Sequence, residues 1–179
     1  MLELVIQETE LFDENTLEFI EVKETVIRLE HSLVSISKWE ANWKVPFLTK
    51  DPKTREQTID YIRCMTITQN VKPEVYYALT NEHIEAVNKY ISDDKTATTF
   101  SNTREAPSRA IITSELIYYW MTQFNIPMEC QKWHLSRLLT LIRIASIKNA
   151  PDKKMSKREI LSQNRALNAA RRKSLRTKG

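Results

Sequence analysis

Apolar positions change their rhythm along this chain of 179 residues, and each change predicts an element. Leu2 to Gln7 is an apolar run with β-branched members, and Leu17 to Leu29 again favours strand through Ile20, Val22, Val26 and Ile27. Between them, Asp13-Glu14-Asn15-Thr16 is a turn cluster, because Asx side chains bond the local backbone and tolerate the left-handed conformation. A hairpin or three-stranded antiparallel sheet is therefore expected over 1–31. The rhythm becomes helical at Ser37-Lys38-Trp39-Glu40, a capping-box pattern that predicts a short helix over Lys38 to Lys44. Trp39 and Trp43 share a face of it, so they either dock it on the core or form an exposed aromatic patch. Pro46 ends the segment.

Thr54-Arg55-Glu56-Gln57 is a second capping box, opening a helix to about Asn70 with Ile59, Ile62 and Met65 as its stripe. Pro73 starts a short helical turn through Leu79. Thr80 then caps a helix over Asn81 to Ile91, with Ile84, Val87 and Ile91 at helical spacing and His83 facing solvent. Ser92 to Pro107 is polar and reads as a long loop in which Phe100 stands alone, either tucked into the body or offered to a partner.

Thr113 to Lys148 is the stretch around which the chain is expected to be organised. Its two arms, Glu115 to Met121 and Trp133 to Ile147, carry apolar residues on more than one face, the mark of buried helices. Asn125-Ile126-Pro127 hinges them, since the proline ring and missing N–H disfavour a continuous helix. Trp133 and Leu138 are expected to be buried. After Ala150-Pro151, a third capping box at Ser156-Lys157-Arg158-Glu159 opens a basic, weakly amphipathic helix ending in Arg171-Arg172-Lys173. The expected class is α+β: a mainly helical domain over 32–150, a small N-terminal β element, and a basic helical extension over 151–179.

Charge sharpens this division. Residues 1–30 hold nine acids and two bases, whereas residues 148–179 hold eleven bases and two acids. Such polarity suits an end that meets an anionic surface: nucleic acid, another protein, or the acidic end of a second copy. The N-terminal glutamates themselves read as a solvated face.

Candidate chemistry is sparse. A single glycine, Gly179, removes the glycine-rich phosphate loops, whose close backbone approach needs glycine, and argues against folds rich in positive-φ turns. Cys130 and His134, at i,i+4, would place a thiol and an imidazole on one helical face, but two ligands make no structural zinc site and no third group orients a dyad. No catalytic, cofactor or metal residues are assigned, and an enzyme is not expected. With no signal segment in view, Cys64 and Cys130 are read as reduced cytoplasmic thiols, and the apolar runs fall far short of the roughly 20 residues a bilayer span needs.

The order of His31-Ser32-Leu33-Val34-Ser35-Ile36-Ser37-Lys38-Trp39-Glu40, the Glu115 to Met121 block, Ile126-Pro127-Met128-Glu129-Cys130-Gln131-Lys132-Trp133-His134-Leu135 and Asn168-Ala169-Ala170-Arg171-Arg172-Lys173 resembles the tail assembly chaperones of long-tailed bacteriophages with non-contractile tails. That resemblance implies binding to the tape-measure protein and other tail assembly proteins in the host cytoplasm. It also implies absence from the finished virion. Trp39, Trp43, Phe100 and the basic Arg171, Arg172 and Lys173 are the candidate partner contacts. A structural virion component and a sequence-independent nucleic-acid binder acting through the basic tail are the competing expectations.

Overall fold

One register runs through the N-terminal ribbon of the computed structural model, which describes residues 1–13, 17–100, 111–150 and 157–175. Strand β1 (Leu2–Ile6) pairs with β4 (Thr25–Leu29), and β2 (Thr9–Asp13) pairs with β3 (Glu18–Val22), both antiparallel. Ile6 faces Thr25 and Thr9 faces Val22, so Gln7-Glu8 and Lys23-Glu24 interrupt the two sides equally. The result is one hairpin broken into two ladders, not a three-stranded sheet, and the stretch Leu17 to Leu29 is two strands.

The break changes which face is covered. In the first ladder Leu4, Ile6, Ile27 and Leu29 are buried. Continued alternation would put Phe12 and Phe19 on that same face. Beyond the break it is the opposite face that is covered, through Val22, Leu11 and Ile20, because β1 lies near α4 while β3 lies near α3. Phe12 and Phe19 are left 52% and 71% exposed.

Helix α1 (Leu33–Trp43) begins five residues earlier than its expected start at Lys38. The Ser32 Oγ accepts the Ser35 N–H and the Ser35 Oγ accepts the Ser32 N–H, so this pair is the cap and Ser37-Lys38-Trp39-Glu40 is not. Helix α2 (Arg55–Met65) has the expected reciprocal cap of Thr54 and Gln57 but stops before Asn70. Thr66 to Thr68 instead seal the edge of β4: the Ile67 N–H donates to the Arg28 carbonyl at 2.8 Å and the Arg28 N–H donates to the Thr68 hydroxyl at 2.9 Å. Helix α3 (Pro73–Tyr77) ends two residues before Leu79. Helix α4 (Asn81–Ser92) is capped by Thr80, and His83 is half-buried with its Nδ1 accepting the Thr80 N–H.

The expected central pair is rearranged. Helix α5 (Ser114–Gln123) is capped by Thr113, Asn125 takes the left-handed conformation at φ 51°, and Pro127 leads into a 3₁₀ turn over Met128–Lys132. Helix α6 (Leu135–Asn149) starts after Trp133 and His134. It buries only the stripe Leu135, Leu138 and Ile142, so it is amphipathic and not covered all round. Trp133, expected in the core, is 37% exposed because it lies ahead of that stripe in the connecting turn.

The organising element is α1. It packs on α2, on α5 and on the 3₁₀ turn, and its Leu33, Ile36 and Trp39 are at most 1% exposed. Ribbon and helices contribute to one buried cluster, from Leu4 and Ile27 to Met65, Val87, Met121 and Leu138. Among the described residues, four non-glycine residues take positive φ: Leu17, Lys44, Asn70 and Asn125. Residues 147–179 form a second compact unit that contains α7 (Lys157–Leu175). The expected cap at Ser156, Glu14, Asn15 and Thr16 of the turn cluster, and residues 101–107 of the long loop lie outside the described residues.

Candidate functional site

The two tryptophans of α1 divide their roles. Four residues apart, they stack with ring centroids 6.2 Å apart, yet only one reaches the surface. Trp39 is buried, and its Nε1–H donates to the Gln57 carbonyl at 2.9 Å, which docks α1 on α2. That removes Trp39 as a surface contact. Trp43 is half-buried, and its Nε1–H donates to Asp60 Oδ2 at 2.8 Å. This bond leaves one side of the indole as a wall of a groove.

The groove, of about 590 Å³, runs between α2 and α3. Trp43, Ile59, Pro73, Tyr76 and Tyr77 give it an apolar surface, while Arg55, Glu56, Asp60 and Arg63 border it with both signs of charge. Helical spacing makes the α2 side: 55, 59 and 63 recur every four residues and so share a face. Pro73 at the first position of α3 places Tyr76 and Tyr77 on successive directions, one buried and the other 70% exposed. An apolar surface beside charges of both signs suits the apolar and charged faces of an amphipathic helix. The sequence signal for it was the Tyr76-Tyr77 pair behind a proline, which periodicity alone does not connect to Trp43.

The other expected contacts are separate. Phe100 is half-buried and its ring lies beneath the Arg143 guanidinium at 4.2 Å, so it tucks back and is not a free anchor. Arg171 and Arg172 are exposed on α7 with Lys173, in the second unit.

Cys130 and His134 do not share a helical face, because Cys130 lies in the 3₁₀ turn and His134 bridges to Ser32 ahead of α6. Among the described residues no three His, Cys, Asp or Glu groups could hold a metal ion. His134 instead meets His31, ring centroids 5.2 Å apart. His134 Nε2–H donates to the Tyr90 carbonyl at 3.2 Å, while the Ser136 hydroxyl donates to Nδ1 at 2.8 Å. The Tyr61 hydroxyl donates to His31 Nδ1 at 2.5 Å, in keeping with a phenol that burial holds in its protonated form. Burial, with His134 alongside, pushes the His31 imidazole down to about 3, and burial lowers His134 too. Burial favours the neutral form of both rings, and each is held by hydrogen bonds within the core, an arrangement that supports structure. Burial likewise pushes the Cys64 thiol up to about 11, away from a reactive thiolate.

No family model, no curated protein and no solved structure matches this chain. Among the described residues no helix is long and apolar enough to cross a membrane.

Proposed function

We propose that this chain is a tail assembly chaperone of a long-tailed bacteriophage, a non-enzymatic protein that holds an amphipathic helical segment of the tape-measure protein soluble while the tail tube forms. The observation that supports the reading is the α2–α3 groove, whose apolar Trp43, Ile59 and Tyr77 share its lining with charges of both signs from α2, Arg55 and Arg63 with Glu56 and Asp60. An amphipathic helix would cover the aromatic surface and pair its flanking charges with both signs. The tape-measure identity rests on the sequence resemblance. On this reading the protein works in the host cytoplasm and leaves before the virion is complete.

Co-expression with the long helical protein encoded beside it tests the proposal. Soluble recovery of that companion, lost in the Trp43→Ala, Tyr77→Ala double variant while the variant stays folded, is the expected result. Recovery unaffected by the double variant would refute the groove as the site, and presence of the protein in finished particles would favour a structural virion component.

A second reading has its own observation. Helix α7 displays Arg158, Arg165, Arg171 and Arg172 to solvent, which suits sequence-independent binding to nucleic acid. Binding to unrelated DNA with a log–log salt slope of about −0.9 per phosphate contacted, lost on deletion of 151–179, would establish it.

A further inference from the structure

The half of the hairpin beyond its break carries a solvent-facing surface that neither the groove nor the basic helix explains. Phe12 and Phe19 are direct cross-strand partners with ring centroids 5.2 Å apart, and both are mostly exposed. One step along the same face, Glu10 and Glu21 are also direct partners and also exposed. Like charges placed opposite one another destabilise a ladder unless a cation lies between them. No ion pair among the described residues reaches either glutamate.

Helix α7 carries the complementary pattern. Leu161 and Leu167 are 58% and 50% exposed, and each is followed four residues later by an exposed arginine, Arg165 and Arg171. Four helical residues advance about 6 Å, and two strand residues about 6.8 Å, so a leucine seated on the phenylalanine pair brings its arginine to the glutamate pair. The charge matches at the scale of whole segments as well. The ribbon's exposed Glu8, Glu18 and Glu24 add to an acidic surface, and α7 has six bases against one acid.

We propose that the Phe12–Phe19 surface of the hairpin is a docking site for the basic helix α7 of a second copy of this chain. The contact joins two different surfaces, so it is heterologous and propagates from copy to copy into a ring or an open chain. It uses neither Trp43 nor Tyr77 and leaves the groove free.

The full-length protein tests this by sedimentation over a range of concentrations and salt. Expected is reversible association beyond a dimer, about tenfold or more weaker in high salt, since the glutamates and arginines are exposed and screened. The Phe12→Ser, Phe19→Ser variant and the Arg165→Glu, Arg171→Glu variant should each be monomeric with unchanged circular dichroism. Mixed, they should form a 1:1 dimer that grows no further, because each retains one intact surface. A wild-type chain that stays monomeric, including one whose α7 docks within its own chain, would overturn the proposal. So would association that survives both variants, or a mixture that stays monomeric.

Discussion

The Glu40 carboxylate, buried at the end of α1, joins segments 74 residues apart: its Oε2 accepts the Ser114 backbone N–H at 2.8 Å while its Oε1 accepts that of Phe47, also at 2.8 Å. Ser114 is the first residue of α5, where backbone N–H groups have no partner within the helix and the dipole favours negative charge. Glu40 therefore caps a distant helix. The sequence pattern assigned it to a nearby serine of its own helix.

Replacing Glu40 tests that role. Glu40→Ala leaves two buried N–H donors unsatisfied, at about 1–3 kcal/mol each. Glu40→Gln turns an NH₂ toward one of those donors and should also destabilise, by at least about 1 kcal/mol. Urea unfolding with an unchanged m-value is the measurement, and a neutral glutamine variant would contradict the two-acceptor geometry.

The histidine pair predicts a loss of stability on mild acidification. The unfolded chain protonates His31 near pH 6.5, whereas the folded protein resists until about 3. Between those values the unfolded state binds the extra proton, so stability is full above pH 6.5 and falls as the pH drops. At pH 5.5 His31 alone should cost roughly 1.4 kcal/mol relative to neutral pH, with His134 adding in the same direction. The lowered carboxylates, Asp93 and Glu115, change charge only at more acid pH and do not interfere. The urea midpoint at pH 7.5 and 5.5 checks this, and His31→Gln should flatten the difference even where it lowers both values.

The two tryptophans of α1 should separate cleanly. Trp39→Ala removes a buried ring and a hydrogen bond and should cost about 3–5 kcal/mol. Trp43→Ala should cost about 1–2 kcal/mol, since the indole is half-buried and bonds a carboxylate, and its main effect should be on companion binding. Trp133→Ala should be mild for the same reason of exposure, losing chiefly its contact with Arg137 at 4.8 Å, worth about 0.5–1 kcal/mol. Equal destabilisation by all three would be inconsistent with the observed burial.

Lys44 ends α1 in the left-handed conformation, at φ 57°. A side chain there costs about 1–2 kcal/mol, of which glycine recovers most while adding unfolded-state entropy. Lys44→Gly should therefore stabilise the protein by up to about 1 kcal/mol. A glycine at exposed Ala41, inside the helix, should instead destabilise by about 1 kcal/mol.

Much of the local structure was determined by sequence. The apolar, β-branched run of Leu2 to Ile6 and the Thr54/Gln57 and Thr80 caps carry their own signals, because strand preference and cap chemistry act over a few residues. The same is true of the scarcity of catalytic motifs and the opposed charges of the two ends. Tertiary structure decided which of several competing local signals prevailed. Ser32 with Ser35 displaced the Ser37/Glu40 pattern because the Ser32 backbone is fixed by its bridge to His134, which frees Glu40 to cap α5. It decided that α2 yields Thr66 to Thr68 to the edge of β4, where unpaired backbone groups needed partners. It also decided which face of the hairpin would be covered on each side of the break, and so that Phe12 and Phe19 stand outside while Trp43 and Tyr77 line one groove. Periodicity says that a residue has a face. Only the neighbours brought by the folded chain say whether that face is filled, since burial depends on surfaces far apart in sequence.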